Sequence, residues 1–145
     1  MEPLAPQQQY GALAWRVAGS RLEILLISSR QTRRWVIPKG WPIAGLSPSR
    51  SAAREAFEEA GIKGRTVTPA LGDYHYRKRL GGGAERDCRV DVFALSVEKQ
   101  CEKWPEQAER VTRWFPAGEA AEAVAEPGLA ALIRRFAAGL YRRYA

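Results

Sequence analysis

GWPIAGLSPSRSAAREAFEEAGI, residues 40–62, reads as a loop that runs into a helix. Glycine and proline recur through its first half, and neither sustains regular structure. Ser47 is a suitable N-cap, because its hydroxyl can accept from an amide of the first turn, and Pro48 suits the first helical position. Alanine-rich sequence then continues to Ala60, and Gly61 is placed to close the helix in the left-handed conformation, so the pattern predicts a helix over residues 48–60. At about 100° per residue, with Glu55 at zero, Glu58 falls near 300° and Glu59 near 40°, while Ala52, Ala53, Ala56, Phe57 and Ala60 occupy roughly 60° to 200°. Glutamates opposite alanines are commonly a solvated surface. Three like charges within about one turn repel one another, however, and a divalent cation would relieve that repulsion. Carboxylate oxygens are the hard ligands that magnesium or manganese prefers.

Upstream of this stretch, residues 10–17 alternate imperfectly between apolar and polar, residues 23–28 contain Ile24, Leu25, Leu26 and Ile27, and Gly19 and Ser20 supply a turn between them. Residues 35–37 form a short apolar strand that Pro38 ends. Downstream, residues 67–76, 89–97 and 111–115 read as strands, with a glycine hairpin at residues 80–84. Residues 117–125 and 129–144 have helical composition and are separated by Pro127 and Gly128. Mixed strands and helices without repeat or linker predict one α+β domain over residues 10–145, an α/β/α sandwich with a mixed β-sheet between helices, preceded by a loose tail of residues 1–9.

Composition agrees with a folded globule: 145 residues, 46% hydrophobic and 27% charged. No run approaches the roughly 18 apolar residues that a membrane span needs, and the first residues lack the plan of a secretion signal, so a cytoplasmic location and no membrane partner are expected. Cys88 and Cys101 form no metal-binding or disulfide pattern. Lysine and arginine number 23 against 16 acidic residues, a net charge of +7, which favours a polyanionic partner.

Gly40, Arg54, Glu55, Glu58, Glu59, Gly61 and Ile62 fall in register with the Nudix box, G-x5-E-x7-R-E-U-x-E-E-x-G-U, where U is a bulky apolar residue. The chain therefore resembles the Nudix hydrolase family. Ala56 stands where a larger aliphatic is usual, and Leu46 stands where the pattern has its first glutamate. The resemblance implies the Nudix fold and magnesium- or manganese-dependent hydrolysis of a phosphoanhydride. In that reading Glu55 and Glu59 are metal ligands with the carbonyl of Gly40, Glu58 is a general base or second-metal ligand, and Arg54 orients a glutamate. Leu46 is expected to pack where a charge pair would otherwise orient Arg54.

Residues 28–40, with Ser28, Arg30, Arg33, Arg34 and Lys39, look like the branch that acts on diphosphoinositol and diadenosine polyphosphates, as do Trp114, Phe115 and Pro116 with Glu119 and Ala120 beyond them. Arginine forks suit phosphates. Ser28, Arg30, Arg34, Lys39, Arg86 and Arg89 are accordingly the candidate substrate-binding residues, with Arg77, Lys78 and Arg79 nearby, for a small-molecule polyphosphate. Two rivals stand beside this reading. The charge and the aromatic residues among the arginines suit a nucleic-acid-binding or RNA-cap-processing protein, and Leu46 suits a noncatalytic Nudix sensor domain.

Overall fold

The computed structural model describes residues 4–30 and 34–143; Arg33 lies outside the described residues. Strands β1 (Gln7–Ala18) and β2 (Arg21–Ser28) form a hairpin, followed by β3 (Trp35–Val36), β4 (Lys39–Gly40) and helix α1 (Pro48–Ala60). Then come β5 (Ile62–Thr66), β6 (Gly72–Arg79), β7 (Glu85–Gln100), β8 (Thr112–Pro116), α2 (Ala117–Ala123) and α3 (Pro127–Ala137). The sheet is mixed, with the path β3-β2-β1-β7-β5; β8 pairs with β2, β6 with β7 and β4 with β1. Its centre is the parallel pairing of β1 with β7, from Gln7 opposite Cys88 to Trp15 opposite Ser96.

Period-two alternation sorts the strand residues between two cores. Leu13, Trp15, Ile24, Leu26, Val90 and Val92 face α2 and α3, where Leu129, Ile133 and Phe136 are fully buried. Ala12, Ala14, Leu25, Ile27, Phe93 and Leu95 face α1, which meets them with Ala52, Ala56 and Ala60. The α/β/α sandwich is thus as expected. The small Ala56 is explained here: it is fully buried against the sheet, and its size lets α1 lie close.

Helix α1 has the expected bounds and caps. Ser47 Oγ accepts from Arg50 N at 3.4 Å, and Gly61 adopts φ 70° while its N–H donates to the carbonyls of Ala56 and Phe57. Three expectations need correction. Residues 7–9 are not tail but the start of β1, and Gln9 is buried, accepting a 2.7 Å hydrogen bond from the Tyr76 hydroxyl. Strand β5, unread in the sequence, follows Gly61 directly; its central Gly64 breaks the apolar alternation at a register shift against β7. The strand expected from residue 67 begins only at Gly72, since Pro69 has no N–H to give a ladder.

Candidate functional site

The last two turns of α1 leave Glu55 and Glu59 stacked one turn apart, and Glu55 lies against β4. Their carboxyls hydrogen-bond to each other. Glu59 is only 5% exposed, and burial, with Glu55 beside it, pushes its pKa up to about 9. It therefore keeps its proton at neutral pH and donates it to Glu55. Burial also raises the pKa of Glu55, with the charges of Glu58 and Glu106 adding to the rise. Glu59 Oε1 accepts from Lys39 N at 3.3 Å and lies 4.0 Å from Arg110 Nη2.

Gly40 explains itself at this point. A Cβ there would lie 2.4 Å from the Glu55 carboxyl carbon, so only glycine lets that carboxylate rest against the β4 backbone. Glu58 diverges from the other two. Its Oε1 is 3.9 Å from Arg54 Nη1, and both side chains are well exposed on the flank of α1. Among the described residues no group of three or more His, Cys, Asp or Glu side chains is gathered for a metal ion; two carboxylates converge instead of the three expected. The fit to a divalent cation rests on this pair. A buried, protonated carboxyl hydrogen-bonded to a second one, in a cradle that a Cβ would fill, is an all-oxygen donor set with a proton to surrender. Magnesium commonly takes one or two carboxylates and completes its shell with water and substrate oxygens.

The segment between β7 and β8, residues 101–111, straps the end of α1. Cys101 N donates to Gly61 O at 2.7 Å, Glu106 N donates to Glu58 O at 2.9 Å, and Trp104 packs on Gly61. This strap carries two residues that sequence reasoning missed. Arg110, 11% exposed, reaches Glu106 Oε1 at 2.9 Å and donates to Ser28 O at 3.2 Å, while Glu106 adds negative charge near Glu55. Their i,i+4 spacing was the one available signal, in a stretch with no other periodicity.

A cleft of about 530 Å³ opens beside Glu59, lined also by Tyr76, Glu85 and seven basic residues, Arg30, Arg34, Lys39, Arg77, Lys78, Arg79 and Arg110; the alternation of β6 gives Lys78 the side of Tyr76, and Arg77 and Arg79 the exposed side of His75. Of the sequence candidates, Arg30, Arg34 and Lys39 line it. Arg30 is held by Glu109 at 2.9 Å, and Arg34 donates to Glu126 Oε2 at 3.1 Å. Burial lowers the Lys39 pKa, and its ammonium sits 4.8 Å above the Tyr76 ring. Lys78 lies 4.9 Å over Trp41 at the mouth. Ser28, Arg86 and Arg89 are elsewhere. Ser28 accepts from Val111 N through its hydroxyl and from Arg110 through its carbonyl; Arg86 donates to Ala5 O; Arg89 is drawn to Asp91 at 3.0 Å and Asp73 at 3.4 Å on the opposite face of the strand. His75 lies on that same exposed face, 3.2 Å from Asp87.

The fold and this pair of glutamates define the class. The chain belongs to the NUDIX domain family, whose sequence model matches residues 7–136. It is 37% identical over 112 residues to mitochondrial Nudix hydrolase 13 of Arabidopsis thaliana, covering 71% of this chain and 54% of the relative. It is 34% identical over 101 residues to diphosphoinositol polyphosphate phosphohydrolase 3-beta of Bos taurus, covering 68% and 57%. The chain thus spans about half the length of these curated relatives. Among solved structures, the Ap4A hydrolase of C. elegans superposes with a TM-score of 0.66 at 19% identity, covering 94% of this chain and 99% of that one, which bears on the fold. No helix among the described residues is long and apolar enough to cross a membrane.

Proposed function

We propose that this Nudix domain is a metal-dependent phosphohydrolase that cleaves phosphoanhydride bonds of small polyphosphorylated molecules, diadenosine polyphosphates or diphosphoinositol polyphosphates, by attack of water on phosphorus. One observation carries the reading: Glu59, paired with Glu55, borders a cleft whose lining includes Arg30, Arg34, Lys39, Lys78 and Arg110. A mononucleotide diphosphate needs far fewer cations than that. The relatives support the substrate class through the name diphosphoinositol polyphosphate phosphohydrolase.

Glu55 and Glu59, with the Gly40 carbonyl, would hold magnesium or manganese. A cation bound there supplies charge for the phosphoryl oxygens and acidifies water. The protein's own residues do the rest. Arg30, Arg34 and Arg110, each fixed by an acidic partner, hold the phosphate chain in a set direction; such positioning is the larger part of phosphoryl-transfer catalysis. A base takes the proton of the attacking water as the new P–O bond forms and the anhydride P–O bond on the far side breaks; Glu58 has that role in this reading and would have to turn from Arg54 toward the cleft to fill it. Glu55, Glu58 and Glu59 are all retained, which favours an active enzyme over a sensor domain.

The test is product analysis. With magnesium, a panel of dinucleoside polyphosphates, diphosphoinositol phosphates, nucleotide sugars and nucleoside triphosphates should show turnover of the first two classes, with diadenosine tetraphosphate split asymmetrically into ATP and AMP. Preference for nucleotide sugars, or no metal-dependent turnover of any compound, would overturn the proposal.

A further inference from the structure

A second concavity lies behind the catalytic helix. It is an open groove of about 470 Å³ between α1 and β5, within the size range of small-molecule sites. Its floor is apolar, formed by Leu46, Ala53, Phe57, Ile62 and Leu95, and its rim carries Arg50, Arg54 and Lys63 against one acid, Glu98. The cations are poorly compensated. Arg50 has no ion pair among the described residues, Arg54 has only the loose 3.9 Å contact with Glu58, and Lys63 rests 5.4 Å over the Phe57 ring in place of a carboxylate. Leu46 matters here. The Nudix pattern has glutamate at this position, and a carboxylate there would neutralise the rim and wet the floor; leucine does neither. The register shift at Lys63 and Gly64 adds to the opening, since a bulge bends the edge strand away from its partner.

We propose that this groove binds a small amphipathic anion, a molecule with a flat or aliphatic apolar body and one anionic head. The body lies on Leu46 and Phe57, and the head meets Arg50 and Lys63. The site is separate from the phosphate cleft, because the two open on different faces of α1 and share no lining residue. Its occupancy does not depend on the catalytic reading.

The probe is 8-anilinonaphthalene-1-sulfonate, an aromatic body with one sulfonate, titrated by fluorescence into the folded protein. Saturating inorganic tripolyphosphate fills the phosphate cleft during the titration. One saturable event that survives tripolyphosphate is expected, unchanged in Glu59→Gln and weakened by about tenfold or more in both Leu46→Glu and Lys63→Glu. Lys63 is exposed on an edge strand, so that variant reports even if Leu46→Glu disturbs packing. Displacement of the probe by tripolyphosphate, full binding in Lys63→Glu, or no saturable binding would each overturn the proposal. Loss of hydrolysis in Glu59→Gln with probe binding intact separates failure of one site from failure of the other.

Discussion

Glu59 pairs a buried carboxyl with a raised pKa, and the sign of the resulting pH dependence follows. Its folded pKa of about 9 lies above the unfolded value of about 4.3, so in the absence of metal the folded state holds an extra proton between those limits. The stability this contributes is full below the unfolded pKa and is lost as pH rises through the folded one. Metal-free protein should therefore melt at progressively lower temperature from about pH 5 to 9. Manganese should stabilise it more at the alkaline end, with proton release visible in calorimetry in buffers of different ionisation heat. A flat melting profile in the metal-free protein would refute this. Glu59→Gln should flatten that slope, leave the fold intact and reduce metal-dependent kcat by about a hundredfold or more. Gly40→Ala should push the Glu55 carboxylate aside and weaken manganese binding well beyond any change in melting temperature, because the nearest atoms to a Cβ at Gly40 are those of that carboxylate. The Glu55–Glu59 pair was legible in the sequence because helical spacing alone stacks residues four apart. Glu58 illustrates the limit: the helical wheel puts it on the edge of the face, and its rotamer, turned to Arg54, decides the rest.

At the scale of elements, α1 is gripped at its C-terminal end by the strap of residues 101–111. Gly61 is the point of contact, since a Cβ there would lie 2.3 Å from the Trp104 ring and φ is 70°. Gly61→Ala should cost about 2 kcal/mol or more in denaturant unfolding, combining left-handed strain with a clash. Arg110→Ala should cost about 2 kcal/mol, because it leaves Glu106 with only the loose 3.9 Å contact to Arg30 and removes the cation beside the buried Glu59, and should raise KM for polyphosphate as well. Helix α1, the first hairpin and the two-core alternation could be read from caps and periodicity. The strap could not, for an irregular segment declares no face. Arg86 and Arg89 do not line the cleft, for two reasons the sequence does not show: Arg89 takes the outer side of the strand with Asp73 and Asp91, and Arg86, opposite Lys78, turns its guanidinium to the Ala5 carbonyl.

Across the whole molecule, basic residues are not spread evenly; seven of the 23 line one cleft, against two acidic ones. Polyphosphate binding should accordingly weaken with ionic strength, with KM rising several-fold between low salt and about 0.5 M while kcat changes little, because salt screens the attraction between the exposed charges of cleft and free substrate more than contacts within the closed complex. A salt-independent KM would place the binding energy elsewhere.

The parallel pairing of β1 with β7 has a consequence for biosynthesis. Gln7 and Cys88 are neighbours in space but 81 positions apart in the chain, so the middle of the sheet can close only after β7 has left the ribosome. Until then β1 has on one side its hairpin partner β2 and on the other an open edge of backbone amides and carbonyls. Loop closure over that distance is slow, and the first half of the nascent chain is therefore the stage at which this protein is most exposed to aggregation and most in need of chaperone shelter.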